Sequence, residues 1–259
     1  MQRFGVTLAV VVGALLAALA LPALSAAAPS VSIKAKIVPI KGFPHTGNFL
    51  GAGAAVEANV TISGNEYGGF PAPLIGVNVY LPKGTVLHPS GFPTCPLGML
   101  EPTGRGPKFC PKGSAAGPVG KVTGDVAFGT EVVPETATVQ SFYAPGGGLT
   151  FFTFGHSPVL LEIISSGKYV GASGLYSKEL KTVVPLVETV PGAQDASVKQ
   201  ISIVVGSAIK KQGKTIYYGR VPSHCKGSLP AKTELTFAGL GGLTQTTVTK
   251  TIKLPCPRK

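Results

Sequence analysis

Residues 56–63 read VEANVTIS, and the order of apolar and polar side chains in this stretch decides the fold class. Val56, Ala58, Val60 and Ile62 fall on one side of an extended chain, and Glu57, Asn59, Thr61 and Ser63 fall on the other. Successive side chains of a β-strand point to opposite faces, so a period of two marks a strand with one face in a core and one in water. The pattern repeats upstream, where Val31, Ile33, Ala35 and Ile37 alternate with Ser32, Lys34 and Lys36. It repeats downstream in Ile75, Val77, Val79 and Leu81, which Pro82-Lys83-Gly84 ends.

Further strand patterns cover 119–128, 137–143, 149–154, 159–164, 198–205, 215–218, 233–237 and 246–254. Ser165-Ser166-Gly167 reads as a turn into a further hairpin at Tyr169-Val170, and the Pro-rich stretch 184–195 reads as extended. That makes about a dozen strands at the 8–12-residue spacing of sandwiches and barrels. After the N-terminal segment no apolar row recurs at helical spacing; only 177–182 could form a short helix. The expected fold is an all-β antiparallel sandwich, Ig-like or jelly-roll-like. It is organised as two β domains, 28–122 and 123–259, with one continuous sandwich as the alternative.

Composition agrees. Gly 35 and Pro 23 supply turns, and 44 % apolar residues exclude a disordered chain. The formal net charge is +12, but the lysines are scattered singly. The densest groups are Lys210, Lys211 and Lys214 around Gln212-Gly213, and Arg258-Lys259. No interleaving of basic and aromatic residues points to nucleic acid. An anionic envelope polymer or lipid is the partner class such a surface fits.

Met1-Gln2-Arg3, the apolar run 4–24 and Ser25-Ala26-Ala27-Ala28 have the layout of a secretory signal peptide, with cleavage expected after Ala27. An uncleaved membrane anchor is the alternative, because the run is long enough to span. No later segment reaches transmembrane length. The expected location is extracellular, free or on the cell wall.

Residues 92–120, FPTCPLGMLEPTGRGPKFCPKGSAAGPVG, form a long loop too rich in Gly and Pro for helix or central strand. It carries Cys95 and Cys110; Cys225 and Cys256 come later. Four cysteines allow three connectivities in an exported chain. Local pairing, Cys95 with Cys110 and Cys225 with Cys256, is the expected one. His224 adjoins Cys225, but no second ligand stands at zinc spacing, so neither a metal nor a cofactor is expected.

Gly155-His156-Ser157-Pro158-Val159 approaches a nucleophile elbow, and Asp195 and His224 follow in the order of a Ser-Asp-His triad. Val159 occupies the position where an elbow needs a small residue, and a strand rather than a helix follows. The bland reading is a hairpin turn. Three function classes remain: a non-catalytic envelope protein with a binding or structural role, a serine hydrolase built on Ser157, Asp195 and His224, and a carrier of apolar ligands such as lipid.

The runs VYLPKGTVLHPSGFPTC (79–95), CPKGSAAGPVG (110–120) and VPGAQDASVKQISIVVG (190–206) resemble those of uncharacterised exported proteins of high-GC actinobacteria. The likeness lies in the order Leu-Pro-x-Gly, Cys, Cys-Pro-x-x-Ser and a late cysteine pair, across most of 77–256. It implies secretion and a β-rich fold. It implies no activity and no catalytic residues.

Overall fold

The computed structural model describes residues 28–43, 50–101, 104, 106–128, 131–189, 191–239 and 244–256. Residues 1–27, where the signal peptide is expected, His45 and Arg258-Lys259 lie outside the described residues. The strands, in chain order, are β1 Ser30–Val38, β2 Ala55–Ser63, β3 Leu74–Pro82, β4 Val86–Leu87, β5 Gly120–Phe128, β6 Glu131–Ala144, β7 Gly148–Ser157 and β8 Leu161–Gly171. They continue with β9 Tyr176–Val183, β10 Ser197–Val205, β11 Ala208–Lys211, β12 Lys214–Tyr217, β13 Gly219–Arg220, β14 Ser228–Phe237 and β15 Thr246–Pro255.

Eleven of these make one sheet, in the order β1-β2-β10-β5-β6-β7-β8-β9-β3-β14-β15, with every neighbouring pair antiparallel. The sheet curls until its two edges, β1 and β15, lie within 8 Å between Cα atoms. The fold is therefore a nearly closed barrel, and the expected two-domain sandwich is wrong. Strands from the first half of the chain interleave with the second: β2 pairs with β10, and β3 sits between β9 and β14. No cut near residue 122 separates them. Alternation states that each strand buries one face. Whether that face meets a second sheet or the far wall of the same sheet is decided by long-range pairing, which no local pattern contains.

An odd number of strands in a wholly antiparallel sheet leaves its edges running the same way. β1 and β15 both start at the end of the barrel that Phe70 fills and finish at the end occupied by Tyr218. Closure would need a parallel ladder, and no ladder joins them among the described residues. Lys250 stands at an inward register position on β15, opposite Thr233 and between Val248 and Ile252. An inward charge is one of the devices that keep an edge strand from pairing.

Residues 177–182 are strand, not helix: they lie in β9, whose Leu180 and Thr182 are buried. The β8 strand also runs unbroken through Ser165-Ser166-Gly167. Barrel pairing on both sides supplies partners that local propensity does not count. Stretch 184–195 folds back on itself, with Glu188 bridging Asp195. The loop 92–120, expected to exclude helix, holds one helical turn at Leu97–Leu100, α1, and a 3-10 turn at Pro107–Phe109. Both are too short to need the propensity that Gly and Pro remove.

Both disulfides join the near neighbours, Cys95 to Cys110 and Cys225 to Cys256. The first lies on the outer wall. Phe142, Phe152, Phe154 and Ile164 face outward from β6, β7 and β8, and Cys95, Met99 and Leu100 of the bridged loop cover them. The second bridge ties the last strand to the segment before β14 at the Tyr218 end. At the Phe70 end, the loop between β2 and β3 folds inward. Phe70 is fully buried among Val31, Ile62, Leu74, Leu235 and Phe237, with Tyr67 edge-on to it at 5.3 Å.

Candidate functional site

The inner wall is built from the same alternating rows that the sequence displays. Ile33, Ala35 and Ile37 of β1, Val56, Ala58 and Val60 of β2, and Ile201, Ile203 and Val205 of β10 all border one interior cavity. So do Val77, Val79 and Leu81 of β3, and Leu149 and Phe151 of β7. The cavity measures about 380 Å³. Small-molecule sites span roughly 300–1,000 Å³.

These inward side chains are not packed against one another throughout. Along β3 only the two terminal residues, Leu74 and Pro82, are buried; the seven between them are half-buried. Val56 and Val60 of β2 and Ile201, Ile203 and Val205 of β10, all inward, are also half-buried. A packed interior would bury them fully; here they face open space.

The outer wall is polar where the bridged loop does not cover it. On β1 and β2 it presents Ser32, Lys34, Lys36, Glu57, Asn59 and Thr61, with Lys36 paired to Glu57 at 3.1 Å. A membrane-spanning barrel has the opposite arrangement, an apolar outer band around a polar lumen. Apolar inside and polar outside is the arrangement of barrels that enclose a small apolar ligand.

The polar groups inside are few. Near the Phe70 end, buried Glu135 accepts the backbone N–H of Ser157 at Oε1 and of Val159 at Oε2, each at 3.1 Å. Gly155 makes room for this carboxylate, since a Cβ there would sit 3.0 Å from Glu135 Oε1. Buried Asp125 is paired with Lys199 at 3.1 Å. Both acids are therefore occupied by the protein itself.

The Tyr218 end differs. Tyr218 stacks on Tyr143 and meets Phe92 edge-on at 5.5 Å. The Tyr143 hydroxyl is bonded to Ser207 Oγ at 2.7 Å. The Tyr218 hydroxyl is buried and makes no hydrogen bond of good geometry, with the Tyr169 hydroxyl beside it. Burial raises both phenols, Tyr218 to about 12 and Tyr169 well above the usual tyrosine range, so both keep their protons. Tyr169, Tyr218 and Arg220 all border the cavity, and Arg220 is exposed at its rim.

Besides the β1/β15 seam, the wall has a gap beside β8. β9 pairs with β8 only from Ser166 to Gly171, whereas β7 continues along β8 to Leu161. Residues 161–165 therefore have no strand on their second side. Leu161 and Ile163 form one lip of the gap, and Val184, Pro185 and Leu186 form the other; all border the cavity. Leu160 and Val183 beside it are 77 % and 67 % exposed. Apolar side chains are thus exposed on the outer surface next to the gap.

The three residues of the candidate triad do not meet. Ser157 ends β7 at the Phe70 end, where its amide is bound to Glu135. Asp195 lies beside β10 at that same end. His224 precedes β14 at the Tyr218 end. A ten-residue strand separates the two ends, about 30 Å of chain. Among the described residues no group of three or more His, Cys, Asp or Glu could hold a metal ion, and no helix is long and apolar enough to cross a membrane. No family model, curated protein or solved structure matches the chain.

Sequence reasoning missed the chamber as a site. Its residues were legible as inward positions, but a core strand and a chamber wall have the same alternation. Tyr169 and Tyr218 carried no separate signal.

Proposed function

We propose that this is an exported binding protein that carries a small apolar molecule, of lipid character, inside the barrel. The observation that supports it most is the hollow interior: rows of Val, Ile and Leu from β1, β2, β3 and β10 surround an apolar cavity instead of filling it. Export is supported by the leader pattern at 1–27 and by two disulfides, which persist in oxidising compartments. Ligand passes through the gap between β8 and the segment 184–187.

Native mass spectrometry of the mildly extracted protein tests the reading. The expected result is an added mass of one ligand per chain, removed by organic extraction and restored on incubation with total lipid extract. A bare polypeptide mass before and after that incubation overturns it.

A further inference from the structure

Among the described residues that border the cavity, Tyr218 is the one with a buried, unpaired side-chain polar atom. Tyr218 is 3 % exposed, its hydroxyl makes no hydrogen bond of good geometry, and the residue borders the cavity. The hydroxyl beside it, on Tyr169, does not solve the problem. Each phenol has one hydrogen to donate. If Tyr169 donates to Tyr218, the Tyr218 hydrogen still has no acceptor among the described residues. A buried donor without an acceptor destabilises the fold. The deficit is specifically an acceptor.

Charge at this end points the same way. Arg220 borders the cavity from the rim and has no carboxylate within salt-bridge distance among the described residues. The acids that border the cavity, Glu135 and Asp125, lie near the far end and are held there by amides and by Lys199. The chamber thus has donors and the charge of Arg220 at one end and an apolar wall leading away from it, with Lys250 of β15 at an inward position further along, beside the seam. Its volume, about 380 Å³, lies low in the range of ligand sites and suits one acyl chain rather than two.

We infer that the ligand is a single-chain carboxylic amphiphile, bound with its carboxylate at Tyr218 and Arg220 and its tail running toward Phe70. This rests on the carrier reading and adds the head-group chemistry and the orientation. The Tyr218 hydroxyl donates to a carboxylate oxygen, the Tyr169 hydroxyl donates to Tyr218 or to the second oxygen, and Arg220 balances the charge.

The test uses the full chain and three fluorescent polyenes: cis-parinaric acid, its methyl ester and diphenylhexatriene. The first has an anionic acceptor, the second a neutral one, the third none. Tyr218→Phe is expected to weaken the acid about tenfold, the size of one hydrogen bond to a charged group. It weakens the ester less and leaves diphenylhexatriene unchanged. Arg220→Gln, on an exposed residue, weakens the acid alone. Tyr218→Phe also leaves the melting temperature of the unliganded protein equal or higher, because it deletes a buried unpaired donor; a structural role would lower it. If diphenylhexatriene binds but acid and ester bind both variants as they bind the wild type, the head-group assignment falls and the carrier reading stands. If none of the three binds the wild type, the carrier reading falls as well. Should Tyr218→Phe fail to fold, the assignment is overturned on its stability claim, and Arg220→Gln still reports on the charge.

Discussion

Tyr143 and Tyr218 stack with ring centroids 4.1 Å apart and planes inclined by 22°. Burial is the main cause that raises both phenols, together with that of Tyr169. In the unfolded chain they ionise near 10. Above that pH the unfolded chain has released protons that the folded chain still holds, so stability falls as pH rises. The contribution of these three side chains is fully present below about pH 10 and is lost progressively as pH climbs through the folded values. Phenolate absorbance is expected to show them ionising together with alkaline unfolding. Reversible titration of all seven tyrosines near pH 10 in a folded protein would contradict the burial.

On the outer wall, Glu234 behaves in the opposite sense. Lys232 Nζ donates to its Oε1 at 2.7 Å and Tyr80 Oη donates to its Oε2 at 2.9 Å; the Lys232 bond leads in holding the carboxyl below the usual range. A carboxyl depressed in the folded state contributes stability above its unfolded value and loses it as pH falls through the folded one. Urea unfolding between pH 6 and acid should therefore show a steeper loss in the wild type than in Glu234→Gln. Identical slopes would mean that the pair contributes nothing.

The two disulfides have separable roles. Cys95–Cys110 closes a loop with a sequence separation of 15, worth about 3 kcal/mol in the chain-entropy picture. Its loss also uncovers the outward phenylalanines of β6 and β7. Cys225–Cys256, separation 31, is worth about 4 kcal/mol and secures an edge strand with a ladder on one side only. Replacing Cys225 and Cys256 by alanine should speed amide exchange most in β15 and least in β7. Replacing Cys95 and Cys110 should instead raise binding of a surface-hydrophobicity dye. Equal exchange across all strands in the first variant would contradict the seam at β1 and β15.

How much of this was written in the sequence can be followed residue by residue. Val56, Ala58, Val60 and Ile62 declared their strand and its inward face, and both hold. The bridges were legible because each joins a cysteine to the next one in the chain, the first across a loop and the second across the β14–β15 hairpin. The barrel was not legible: that β2 pairs with β10, or β14 with β3, depends on contacts far apart in the chain. Nor was the chamber, since Val77 reads the same whether it touches Leu or empty space. The Gly155–Val159 motif was read as a turn or an elbow; as built, its carboxylate neighbour Glu135 binds the backbone of that turn.

Ser157 and His224 at opposite ends of the barrel give a simple check. A fluorophosphonate probe should leave the chain unlabelled, and Ser157→Ala should change nothing the probe reports. Labelling that disappears in Ser157→Ala would show a nucleophile that this arrangement does not provide.

The hollow interior is tested most directly by a filling substitution. Ala58 is half-buried on the cavity wall, so Ala58→Phe adds a ring where there is space. Overpacking a filled core costs about 1–3 kcal/mol. Fluorescence titration with diphenylhexatriene, alongside urea unfolding, measures both consequences. The expected result is saturable binding of one probe per wild-type chain, abolished in Ala58→Phe, with stability changed by less than about 1 kcal/mol. Binding that is absent in the wild type, or undiminished by the added ring, would contradict a ligand chamber inside the barrel.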